Sequence, residues 1–144
     1  MKKRFFYVYI IMVCCLISAC DVESSDNGAL DGFWQLAYLE EGGERVDMRQ
    51  SGITWAFQGE LLELRDVTKV NQTFLLSFEH GSGTLRVYAP FFLDRDNDDI
   101  PVDNVNYLLP YGIRQLDERF SVVRLDGDAM ILRSDHCLLE FRKY

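Results

Sequence analysis

The chain has 144 residues, 48% of them hydrophobic and 13% aromatic, enough for one domain with its own core and too few for two. Its 23 acidic residues outnumber 15 basic ones, giving a formal net charge of −8 at pH 7. Such a surface repels phosphate backbones and anionic headgroups, which excludes nucleic acid as a partner and leaves cations, basic proteins and neutral apolar ligands.

Residues 1–20, MKKRFFYVYIIMVCCLISAC, read as an address rather than as structure. Lys2, Lys3 and Arg4 precede an apolar run, Phe5 to Leu16, that is too short to span a bilayer, and Ile17-Ser18-Ala19-Cys20 resembles the bacterial lipobox. The resemblance to bacterial lipoproteins implies cleavage before Cys20, a diacylglycerol on its sulfur and an acylated new amino terminus. Three acyl chains are more than stable anchoring requires. The implied location is the cell envelope, with the outer membrane of a Gram-negative bacterium as the natural site. The expected organisation is therefore a signal peptide over 1–19, a lipidated Cys20 with a tether over 20–29, and a domain over 30–144. Removing Lys2, Lys3 and Arg4 leaves 12 basic against 23 acidic residues, a formal −11. Cys14 and Cys15 depart with the leader, so Cys137 stands alone and no intramolecular disulfide is available. It opens the apolar run CLLEF and is expected to be a small buried hydrophobe. The tether, DVESSDNGA, is polar and acidic. Its acidic residues after Cys20 resemble the surface-export signal of Bacteroidetes lipoproteins, interrupted here by Val22.

From Leu30 onward, short aromatic and β-branched segments alternate with turn residues and helical periodicity is absent, so the reading is all-β. Eight strands are expected: Leu30–Leu39, Ile53–Gln58, Leu61–Val67, Thr73–Glu79, Thr84–Ala89, Arg119–Leu125, Ala129–Arg133 and Cys137–Arg142. In the first, Trp34, Leu36 and Tyr38 share one face and Gln35 lies on the other. Gly59-Glu60, His80-Gly81-Ser82-Gly83, Asp126-Gly127-Asp128 and Asp135-His136 supply hairpin chemistry, while Glu41-Gly42-Gly43-Glu44 opens a loop. Eight strands joined to their sequence neighbours close most simply into an antiparallel up-and-down barrel, which leaves no free edges.

Pro90 to Gly112 breaks this rhythm. It is too long for a hairpin, and Asp103 as N-cap with Pro110 as stop predicts one short helix across a barrel mouth. Asp94, Asp96 and Asp98 have the opening spacing of an EF-hand calcium loop, but Asp99 replaces the turn glycine and Val105 the closing Glu. A solvated acidic loop is the expectation, with calcium as the alternative.

Gly32-Phe33-Trp34 is the Gly-x-Trp of lipocalin-type barrels. Together with the lipoprotein leader, the eight strands, Pro110-Tyr111-Gly112-Ile113 and the Leu132-to-Tyr144 ending, it makes the chain similar to the small lipocalin-like lipoproteins of Bacteroidetes, whose function is unassigned. The resemblance implies a lipocalin-like barrel closed at its narrow end by Gly32 and Trp34, with a late basic residue over the Trp ring. Arg142 is the first candidate for that residue and Arg133 the second; a solvated outward Arg is the competing reading.

Enzyme chemistry is scarce. Ser134, Asp135 and His136 are neighbours on one tight turn and cannot converge on a substrate atom as nucleophile, base and orienter. His80 and His136 are isolated from each other in sequence, and no glycine-rich phosphate loop precedes a helix, so neither a metal nor a cofactor is expected. Trp34, Tyr38, Trp55, Phe57, Phe74, Phe78, Tyr88, Phe120 and Phe141 could line a cavity, yet a barrel of eight strands is just wide enough for side chains to fill it. The expectation is a partly filled, non-enzymatic barrel that binds a small apolar or amphipathic ligand near the mouth, through Phe92, Tyr107, Leu108 and Tyr111. The alternative is a solid barrel whose loops dock an envelope protein. Cavity volume inside the barrel discriminates the two.

Overall fold

The computed structural model describes residues 27–94, 96 and 98–144. The leader, Cys20 and the tether up to residue 26 lie outside the described residues, as do Arg95 and Asn97. The strands, in chain order, are β1 (Gly32–Glu41), β2 (Glu44–Asp47), β3 (Ile53–Gln58), β4 (Leu61–Asp66), β5 (Phe74–Gly81), β6 (Thr84–Phe92), β7 (Ile100–Pro101), β8 (Glu118–Leu125), β9 (Ala129–Arg133) and β10 (Leu138–Lys143). Eight of them, β1, β3, β4, β5, β6, β8, β9 and β10, pair antiparallel in that order, and β10 returns to β1 to close the barrel.

Two short strands lie off this ring. β7 adds to the end of β6, and β2 continues the edge of β1 beyond the point where β3 leaves it, so β1 meets β3 over Gly32–Gln35 and β2 over Tyr38–Glu41. The expected loop after Glu41 thus contains a strand. Its four residues, ERVD, are all exposed, and a strand without a buried face carries no alternation to read.

Side-chain faces follow a period of two except where a bulge intervenes. On β1, Leu36 pairs with Phe141 but Tyr38 pairs with Glu140, which makes Ala37 the extra residue. Every later side chain therefore changes face: Leu39 turns inward and Tyr38 outward, where the guanidinium of Arg45 stacks 4.1 Å from its ring. Tyr88 also faces outward, beneath Arg86, because Leu85 and Val87 occupy the inward positions of β6. These two tyrosines correct the expected interior set. The other seven aromatics, Trp34, Trp55, Phe57, Phe74, Phe78, Phe120 and Phe141, are buried.

The barrel has two unlike ends. At one, tight connections join β3 to β4, β5 to β6 and β8 to β9, and β1 begins; Trp34 seals this closed end. At the other lie the long connections around β2, between β4 and β5, and from β6 to β8. The single helix expected over Asp103–Pro110 is instead two 3-10 turns, Val105–Tyr107 and Leu109–Tyr111. Asn104, not Asp103, caps the first by accepting from the Asn106 N–H, and Pro110 sits inside the second rather than ending a helix. Six to eight residues offer too little length for helix propagation, and proline removes a donor. Residues just before the first strand are also structured: Gly28–Leu30 form a 3-10 turn, and the Asn27 side-chain amide donates to the Gly59 carbonyl at 2.8 Å.

Candidate functional site

The barrel interior is solid aromatic packing. Trp55 sits at its centre, with ring centroids 4.9 Å from Phe141, 5.9 Å from Phe120 and 6.3 Å from Phe57. Phe57 continues edge-to-face to Phe78 at 5.0 Å. All five rings are buried, and the tilted and edge-on geometries are those that aromatic quadrupoles favour.

Above this stack the mouth is plugged. Leu108, Tyr111 and Ile113 are fully buried. Trp55 Nε1 donates to the Tyr111 carbonyl at 3.1 Å, and the Tyr111 hydroxyl donates to the Gln72 carbonyl at the base of the β4–β5 loop. Burial pushes the Tyr111 phenol well above its ordinary pKa, with the nearby Asp66 carboxylate adding to the rise, so it stays a neutral donor. Arg114 ties the plug to the rim: its guanidinium is bidentate to Glu41, at 2.7 and 3.1 Å, and donates to the Leu109 carbonyl at 2.9 Å. Glu118, buried on β8, accepts from the Arg114 and Gln115 backbone N–H groups. Of the four residues expected to bind ligand, Leu108 and Tyr111 therefore belong to the plug.

Phe92 and Tyr107 do something different. Their rings meet edge-on at 5.2 Å, Phe74 backs Phe92 at 5.2 Å, and Tyr107 is 48% exposed. They form one wall of an open cleft of about 1010 Å³ outside the plug, which Leu93, Asp94, Ile100, the end of β4 with Arg65 and Asp66, and the β4–β5 loop with Lys69 complete.

That loop is built on one carboxylate. Asp66 accepts from Thr68 N, Thr68 Oγ1, Asn71 N and Asn71 Nδ2 at 2.5 to 3.0 Å. Burial would raise its pKa, but these bonds to the charged form outweigh it and hold the carboxyl below its ordinary value. A depressed folded-state pKa contributes stability that is present above the unfolded value, near 4, and is lost as pH falls through the folded one. Acid melts should therefore show the wild-type melting temperature dropping below about pH 4, and Asp66→Asn should be less stable at pH 7 with a shallower acid slope. Equal slopes for the two proteins would refute the assignment.

At the closed end, Gly32 and Trp34 stand where the sequence places them, but the basic residue is Lys143, not Arg142. Lys143 Nζ lies 4.3 Å from the Trp34 ring centroid and donates to the Ala29 and Asp31 carbonyls. Trp34 Nε1 donates to the Leu30 carbonyl at 2.8 Å. Arg142 points outward to Gln35 Oε1 at 3.1 Å, and Arg133 is exposed. The signal was available: Phe141 faces in, so alternation turns residue 143 in and residue 142 out. Gly32 has φ +107 and a Cβ there would come within 3.1 Å of Lys143 Cε, which explains the glycine.

The remaining candidates are not assembled into chemistry. Asp94 Oδ1 accepts from the Asp96 N–H at 3.0 Å, and among the described residues no three His, Cys, Asp or Glu side chains gather as a metal set, Asp94, Asp96 and Asp98 included. Ser134 Oγ caps its turn by accepting from His136 N and Cys137 N, both at 3.2 Å. Cys137 is buried, its thiol raised by desolvation and donating to the Gly112 carbonyl. Cys20 lies outside the described residues.

Comparison with known proteins agrees with this architecture. A family profile described as a lipocalin-like domain matches residues 14–144. A lipocalin-like protein from Bacteroides uniformis superposes with a TM-score of 0.60 at 21% identity, over 81% of this chain and 100% of that one. An uncharacterized protein from Bacteroides eggerthii gives 0.57 at 18% identity, over 80% and 99%. No curated protein matches significantly. With the profile spanning nearly the whole sequence and the barrel closed by Gly32, Trp34 and Lys143, the chain belongs to the lipocalin-like domain family.

Proposed function

We propose that the protein is a lipid-anchored, non-enzymatic barrel of the bacterial cell envelope that takes a small amphipathic ligand in the mouth cleft rather than inside the barrel. The cleft of about 1010 Å³ carries the reading: Phe92, Leu93, Ile100 and Tyr107 make part of its lining apolar, and of the charged groups beside them, Asp66, Asp94, Arg65 and Lys69, Arg65 is held by Glu63 at 2.5 Å, which leaves Lys69 to meet a polar head. Concave, largely apolar surfaces with a few placed polar groups are what small ligands occupy. The leader and Cys20 supply the anchor in this reading.

Titration with a fluorescent fatty-acid analogue tests it. Saturable binding is expected, with Tyr107→Ala weakening it about tenfold, the ~1.4 kcal/mol scale of one aromatic contact, while the melting temperature changes little. Absence of saturable binding, or an affinity indifferent to Tyr107, would favour the second reading. That reading, a solid module docking an envelope protein, draws support from the filled interior around Trp55.

A further inference from the structure

We infer that the closed end of the barrel is a membrane-contacting surface, on which Phe33, Leu61 and Tyr144 rest against the lipid headgroup and acyl boundary of the bilayer that carries the Cys20 anchor. The inference rests on the anchoring part of the proposed function. Phe33 is 54% exposed, Leu61 49% and Tyr144 71%. They are contiguous on one side of that rim: the Tyr144 N–H donates to the Phe33 carbonyl at 3.0 Å, Phe33 sits opposite Ala56 on β3, and Leu61 sits opposite Gln58 across the β3–β4 turn. Phe33 and Leu61 line a groove of about 630 Å³ together with Ala56 and Leu75, and it runs up the barrel wall to the Glu63–Arg65 ion pair. Exposed apolar patches of this kind mark interaction surfaces, and aromatic side chains are the ones that sit at the bilayer boundary.

The chain itself chooses the occupant. Asn27, where the described residues begin, is pinned to the same rim through its hydrogen bond to the Gly59 carbonyl, two residues before Leu61. Cys20 precedes Asn27 by seven residues, so the lipidated position lies within about 25 Å of this rim however the intervening chain runs. An anchor so close brings the patch to the bilayer at high effective concentration. Charge then decides the mode. A mature charge of −11 opposes attraction to anionic lipids, so contact is made by the apolar side chains at short range. Arg124, Asp126 and Asp128, on the β8–β9 turn, border the patch at its Tyr144 end, where the Lys143 N–H donates to the Asp128 carbonyl at 2.9 Å, so the contact is centred on Phe33 and Leu61. The mouth cleft at the opposite end then faces away from the membrane and stays open to ligand.

The test uses the full-length acylated protein in vesicles of phosphatidylethanolamine with a minor share of phosphatidylglycerol. With the buried Cys137 replaced by Ala, a cysteine introduced at Leu61, Phe33 or, as the mouth-end control, Val70 carries a bimane label. Nitroxide-bearing lipid is expected to quench the Leu61 and Phe33 labels several-fold more than the Val70 label, and aqueous iodide to do the reverse. Equal lipid quenching at the two ends overturns the orientation, as does a Leu61 label shielded from both quenchers, which would mean that a second copy or another protein covers the patch. Flotation separates this from the anchor. Wild type that floats, with Cys20→Ser that does not, leaves the anchor standing whatever the labels report; wild type that fails to float overturns anchor and orientation together.

Discussion

Truncating Trp55 to Ala is expected to destabilise the protein by about 3–5 kcal/mol, the cost of removing a large buried aromatic whose site cannot fully collapse. Its ring touches Phe57, Phe120 and Phe141, on three separate strands, so no single shift refills the space. The variant also loses the Nε1 donor to the Tyr111 carbonyl, which burial leaves without an alternative among the packed side chains around it. Trp55→Phe separates the two effects: it keeps most of the ring and removes the donor, at about 1–3 kcal/mol. Urea unfolding of the three proteins reads the difference directly. If Trp55→Ala cost less than about 1 kcal/mol, the filled-barrel description would fail, because a central ring in a solid core cannot be deleted so cheaply. The Ala variant carries a second signature. A dry apolar cavity should admit small aromatic molecules, so benzene or a similar probe should raise its melting temperature and leave the wild type unchanged.

Gly112→Ala is the second large effect, at about 2–5 kcal/mol, from two additive sources. Its backbone sits at φ +85, where an L side chain costs about 1–2 kcal/mol. The new Cβ would also lie 2.6 Å from Leu139 Cδ2 and 3.0 Å from Cδ1, and Leu139 is itself fully buried, so overpacking adds about 1–3 kcal/mol. Gly59→Ala is the control. It has φ +59 with nothing within 4 Å of its would-be Cβ, and should cost only the backbone share, about 1 kcal/mol. Equal losses at the two positions would show that the plug yields to Leu139 rather than packing rigidly on it. In the proposed function a rigid plug keeps the interior closed and leaves the outer cleft as the place for a ligand.

The eight strands of the barrel were legible in the chain because each rests on local information. Alternating apolar residues and two-residue turns such as Gly59-Glu60 define β3 and β4 without reference to the rest of the molecule. Gly32 and Trp34 point to the closed end only through their resemblance to the Gly-x-Trp of lipocalin-type barrels. The sequence also separates the acidic run from the core, and of the nine aromatics it offers for the interior seven are buried. Tyr38 shows where this stops. One extra residue at Ala37 reverses every later face of β1, and a bulge is a property of the pairing with β10, not of the ten residues that contain it.

Fold-level packing decided the rest. Whether Pro90–Gly112 formed a helix, a lid or a plug depended on what lay beneath it, and Trp55 and Gln72, far away in sequence, pull Tyr111 down into the mouth. The same folding divides Phe92 and Tyr107 from Leu108 and Tyr111, sending one pair to a surface cleft and the other to the core, although all four look alike in sequence. Asp66 and Glu118 are invisible as organisers until the N–H groups that they satisfy are brought beside them. What the sequence by itself determined about this protein is the repeating in-and-out of its strands and the turns between them, because those follow from backbone geometry over a few residues. Only the tertiary structure decided how the barrel is filled and where a ligand could lie, because those depend on contacts between residues dozens of positions apart, whose free energy exists only once the chain has closed.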